Sequence, residues 1–107
     1  DQGIASYCVT REAPIRAVAL TLFLETLAEH CGPDLLRVKG ILNIAESPDR
    51  PAVIHGVQHV FHPPAWLERW PSADRRSRIV FITRDVPQRW IESLLEALDD
   101  EVSRTRA

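Results

Sequence analysis

Apolar and polar positions alternate along this chain with two different periods, and the switches between them mark the elements. Residues 3–9, "GIASYCV", have a period of two: Ile4, Ser6 and Cys8 fall on one face, and Ala5, Tyr7 and Val9 on the other, as in a short strand. "TREAP" breaks that pattern, and Pro14 suits the first turn of a helix. From Ile15 to about His30 the period is helical. Ile15, Val18, Ala19 and Leu22 form one row, and Leu20, Leu24, Leu27 and Cys31 an adjoining one. So wide an apolar face predicts a helix lying flat on a sheet. Gly32-Pro33 should stop it, with Gly32 as a left-handed cap.

The period then returns to two. In 35–46, Leu36, Val38, Gly40, Leu42 and Ile44 share a face opposite Arg37, Lys39, Ile41 and Asn43. Gly40 inside this strand predicts a bulge or a close backbone approach. "SPDRP", 47–51, reads as a hairpin connection, and 52–61 as the partner strand. A loop rich in proline and tryptophan leads to "RIVFITR", 78–84, the clearest strand of all. Asp85 with Gln88 has the spacing of a capping box before a last helix, whose buried stripe would be Ile91, Leu94, Leu95 and Leu98. The order is β-α-β-β-β-α. It predicts an α+β two-layer sandwich: about four strands, mainly antiparallel after a right-handed β-α-β crossover, with both helices on one face.

Composition narrows the function more than the fold. At 107 residues the chain should be a single domain, 1–107, with its core in about 3–98 and a tail, 99–107, frayed by acids at a helix C-terminus. A net charge of −2 gives no global drive toward nucleic acid or an anionic membrane, so neither is expected as a partner. No apolar run is long enough for a bilayer span. The sequence has no Met, even at position 1, and so reads as a piece excised from something longer. Cys8 and Cys31 are too few for a disulfide scaffold and suit a reducing cytoplasm.

The candidate chemistry lies in "VIHGVQHVFH", 53–62, which holds His55, His59 and His62. On one extended strand His55 and His59 share a face roughly 13 Å apart. Ligands at about 2.0–2.1 Å from a zinc ion cannot stand so far from each other. His62 falls on the opposite face unless the chain kinks before Pro63. The three remain candidate metal ligands only in concert with another domain or chain, the alternative being a half-solvated, imidazole-rich sheet face. No nucleophile–base pair, carboxylate pair or glycine-rich phosphate loop can be assembled, so no catalytic residue is assigned and the domain is not expected to be an enzyme. Arg75 and Arg76 of "DRRSR", with Trp66, Trp70 and Arg37, are candidates for an interaction surface. The plainer reading of the arginines is solvated charge guarding an apolar strand, and of the tryptophans, core caps.

With these blocks in view the chain resembles the C-terminal domain of CobW-type GTP-binding proteins. The resemblance rests on "LLRVKGIL" (35–42), "PAVIHGVQHVFHP" (51–63), "LERWPSADRRSRIVFITR" (67–84) and the amphipathic helix that follows, in that order, and covers about 3–98. It implies an accessory domain of a cytoplasmic P-loop GTPase engaged in zinc or cobalt trafficking or cobalamin biosynthesis. The partners it implies are that protein's N-terminal GTPase domain and a client metalloprotein. GTP with Mg, and the zinc or cobalt, would belong to the N-terminal domain, since this sequence has neither GxxxxGK[ST] nor CxCC. The role implied here is protein interaction and coupling without catalysis or a cofactor of its own; the alternative is an auxiliary metal site in 55–62.

Overall fold

A computed structural model describes residues 3–105. The elements are β1 (Ile4–Arg11), α1 (Ala17–Cys31), a 3-10 turn at Gly32–Asp34, β2 (Leu35–Ile44), β3 (Ser47–Val57), β4 (Val60–Phe61), β5 (Ala65–Trp66), β6 (Ser77–Arg84) and α2 (Gln88–Thr105). The sheet runs β1-β6-β2-β3-β4, with the short β5 added to β3; these strands all pair antiparallel, and Ile15 adds an isolated parallel bridge to Ile44. Both β1 and β2 are antiparallel to β6, so they run parallel to each other with β6 between them. This is the expected two-layer α+β sandwich, with four long strands and two two-residue ones.

β6 is central because its apolar run can face two ways. Ile79, Phe81 and Thr83 point into the core, where all three are buried, while Val80 and Ile82 point to the other side. One continuous core joins Val9 of β1, Val38 and Leu42 of β2 and Ile54 of β3 to Phe23 and Leu27 of α1 and Ile91 and Leu95 of α2. Both helices therefore cover the same sheet face. Gly40 is needed where β2 passes β6: a Cβ there would stand 2.9 Å from the Arg78 carbonyl oxygen and 3.0 Å from the Ile79 Cα. Among the described residues, no helix is long and apolar enough to cross a membrane.

Several local expectations give way to longer-range packing. The buried stripe of α1 is Ala19, Leu20, Phe23 and Leu27, so Val18 and Leu22 lie exposed beside it rather than within it. Gly32 is right-handed (φ −49°, ψ −50°), and the chain runs on into the 3-10 turn. The ring of His59 packs against this glycine, its Cδ2 lying 2.5 Å from where a Cβ would stand. The β2–β3 turn is at Ala45-Glu46, with Ile44 opposite Ser47, and not at 47–51. Leu42 pairs with Ala52, so 48–51 bulge out, and their prolines sit where no ladder donor is needed.

Asp85 forms no capping box. It adopts φ 55°, and Pro87 opens α2 by accepting from the Trp90 and Ile91 amides. Gln88 donates instead to the Cys8 carbonyl and the Glu92 carboxylate. Nor does the last helix fray from Asp99. It continues to Thr105, and Asp99 and Val102 are buried; Arg106 and Ala107 lie outside the described residues.

Candidate functional site

Helices cover one side of the sheet, and among the described residues no helix covers the other. The antiparallel registers set its open side in rows. Cys8 is opposite Val80, Val80 opposite Lys39, and Lys39 opposite His55. The neighbouring rows place Ser6, Ile82 and Arg37 together, and Thr10, Arg78, Ile41 and Val53 together. The result is a shallow trough of about 560 Å³. Its floor is Ile41, Val53, Val80 and Ile82, and its cations are Arg37, Lys39 and Arg78. Val80 at its centre is 46% exposed. An aliphatic floor rimmed by charge has the chemistry on which another molecule can dock.

Charge on the strand positions of this face has one sign. Outside the 48–51 bulge, its strand positions hold no Asp or Glu, while Arg37, Lys39, Arg78 and Arg84 all lie on it. Arg78 is neutralised by Asp74 at 2.7 Å. No hydrogen bond or ion pair engages Arg37, Lys39 or Arg84 among the described residues. The helices are the reverse, carrying Glu25, Glu29, Glu92, Glu96, Asp100 and Glu101 against Arg89 and Arg104. A net charge of −2 thus conceals a basic sheet side and an acidic helix side.

The histidines do not lie on one strand. β3 ends at Val57, Gln58 takes a left-handed φ of 55°, and the chain doubles back into β4. The Gln58 amide donates to the Leu35 carbonyl at 2.7 Å, fixing the reversal. His55 and His62 are thereby brought together rather than placed on opposite faces. The His62 amide donates to the His55 carbonyl at 3.0 Å, and their rings stack with centroids 5.3 Å apart. His59, at the tip, is turned away against Gly32. Among the described residues, no three His, Cys, Asp or Glu side chains are grouped to hold a metal ion.

The tryptophan–arginine segment divides as well. Trp66 on β5 is 45% exposed. Trp70 is buried, donates from Nε1 to the Pro48 carbonyl at 2.8 Å and carries Arg75 over its ring at 6.0 Å, so it is a fixture of the bulge rather than a contact surface. The spacing of the two tryptophans is not helical, since β5 and a run of bends hold them. Arg76 is clasped by Asp74 through Nε (3.1 Å) and Nη2 (3.0 Å). Those bonds, with the Arg76 amide, hold the Asp74 carboxyl far below the usual carboxylate range. Of the expected interaction residues, Arg37 and Trp66 are free to act. Lys39, Arg84 and the apolar floor were missed, although alternation across 37–41 and the two-sided apolar run of β6 carried the signal.

A smaller hollow of about 300 Å³ gathers His30, Cys31, Asp34, Asp85 and Trp90 between the end of α1 and the start of α2. Burial pushes the Cys31 thiol up, and the Asp34 charge adds to it.

Residues 4–99 match the family described as the cobalamin synthesis protein cobW C-terminal domain. The chain belongs to that family. Two solved structures share its fold. One is the Zn(II)-bound YjiA GTPase from E. coli, with 25% identity, a TM-score of 0.78 and 90% of this chain covered. The other is a Zn(II)-bound triple mutant of YjiA GTPase, with 27% identity, a TM-score of 0.79 and the same coverage. The chain spans 30% of the length of each. Among curated proteins none matches. In this CobW C-terminal domain the family match takes in all four long strands and most of α2.

Proposed function

We propose that this CobW C-terminal domain is the interaction and coupling module of a GTP-dependent protein for zinc or cobalt trafficking or cobalamin biosynthesis, and that it performs no catalysis itself. The observation that carries this reading is the open sheet face, an apolar floor flanked by Arg37 and Lys39, which make no ion pair among the described residues. Support for the context comes from the neighbours, which are GTPases of which this fold is 30%. The nucleotide, its Mg and the cargo metal would then be held by a preceding GTPase domain of the same protein, and a client metalloprotein would be a further partner. The test is to mix this domain with the matching GTPase domain and measure association in GTP and in GDP. Binding in at least one state, differing between the two, is expected; no association in either removes the reading.

The stacked His55 and His62 favour a second reading, an auxiliary metal site. Two imidazoles supply half of a tetrahedral zinc set, and another chain would have to supply the rest. His59 stands apart from this pair. Calorimetry with zinc and cobalt decides: stoichiometric sub-micromolar binding that His62→Ala abolishes supports it, and weak binding without a defined stoichiometry ends it.

A further inference from the structure

We propose that the open face of the sheet is the seat of the GTPase half of the same protein, which meets it through an apolar patch rimmed by carboxylates. This rests on the reading above that the domain belongs to a longer GTPase, and it names the surface and chemistry by which the two halves join.

Three observations converge. β6 is apolar on both faces: Ile79 and Phe81 are buried under the helices, while on the other side Val80 is 46% exposed and Ile82 half-buried. Strands read this way when both faces of their sheet are covered. Ile41 of β2 and Val53 of β3 extend the same floor to the neighbouring strands. Next, the floor is flanked by Arg37, Lys39 and Arg84, which have no carboxylate to answer them on this face. A partner that covered them with apolar groups alone would bury unpaired charge, at several kcal/mol per ion. One that brought carboxylates would satisfy them and be oriented by them. Finally, the helix side is acidic and would repel such a partner, so the charge distribution of the domain selects the sheet side.

The GTPase half is the occupant that the chain itself favours. A domain tethered to this one faces it at an effective concentration near the millimolar range, which raises its occupancy of the trough over that of a free partner.

Cys8 is a built-in reporter, since its exposed thiol lines this trough while Cys31 lies on the helix side. The experiment compares maleimide labelling of Cys8, read by peptide mass spectrometry, in this domain and in the full-length protein. In the full-length protein labelling should be slower by at least about tenfold, as expected of a covered site. Arg37→Glu with Lys39→Glu should return it to the rate of the isolated domain, and Glu25→Lys with Glu96→Lys on the helices should leave it slow. Equal Cys8 rates in the wild-type domain and full-length protein overturn the proposal without any variant having to fold. If the separate halves still associate while Cys8 stays reactive, the coupling reading stands and only this surface is wrong. If the halves never associate, the coupling reading itself fails, and Cys8 in the full-length chain still decides the surface.

Discussion

Arg11 Nη2 lies 2.6 Å from Asp99 Oδ2, joining the end of β1 to the fourth turn of α2 across 88 residues. The other carboxylate oxygen accepts the Arg16 amide at 3.2 Å, so one buried side chain ties the last helix to both ends of the β1–α1 link. Arg11 Nε is already buried without a partner. Asp99→Ala should therefore cost roughly 3 kcal/mol, the loss expected when one member of a buried pair is removed. Urea denaturation should show the midpoint falling with little change in slope.

Gly40 and Gly32 should respond differently to the same added methyl. At Gly40 the obstacles are the backbone of Arg78 and Ile79, which cannot retreat without parting β2 from β6. At Gly32 the obstacle is the exposed His59 ring, which can swing out. Gly40→Ala should cost about 2 kcal/mol or more, and Gly32→Ala under about 1 kcal/mol. Thermal melts of the two variants side by side check the ordering.

The tryptophans separate by burial. Trp70→Ala should destabilise by about 3 kcal/mol or more, through lost packing and the loss of its hydrogen bond to the Pro48 carbonyl. Trp66→Ala, at a half-exposed site, should stay within about 0.5 kcal/mol. Fluorescence provides an independent check, since the blue-shifted component of the emission should vanish only with Trp70.

Tyr7 makes stability sensitive to alkali. Its hydroxyl donates to the Val86 carbonyl at 2.6 Å, and burial raises its pKa, the contact with Thr83 opposing the shift. The folded pKa lies above the unfolded value of about 10, so the contribution is complete below that pH and is lost as the pH climbs through the folded pKa. Tyr7→Phe should cost about 1 kcal/mol at neutral pH and flatten the alkaline decline. Unfolding free energies measured from pH 7 to 11 test both.

How far the sequence speaks for itself depends on the reach of each interaction. The helices and the long strands were legible because their periodicity is local, and the uninterrupted "IVFI" of β6 marked a central strand. Pro48 and Pro51 correctly signalled irregular backbone but not its kind: they occupy a bulge, and the tight turn falls on Ala45-Glu46, which carry no turn signature. The reversal at Gln58 was hidden because a residue other than Gly or Asn takes the left-handed conformation, held by a carbonyl of Leu35 far back in the chain. Asp99 looked like a fraying acid because its cation sits 88 positions away. The candidate face was half visible. Alternation put Arg37 and Lys39 on one side of β2, but only the pairing register sets them beside Ile82 and Val80.

Placing β6 between β1 and β2 also has a consequence for biosynthesis. A ribosome that has made residues 1–76 has produced both banks of a channel and nothing to fill it. Two facing rows of backbone donors and acceptors must wait for the strand that closes them, and until it emerges each is open to pairing with a neighbouring nascent chain. Premature termination before residue 77 should thus yield not a smaller domain but a sticky one.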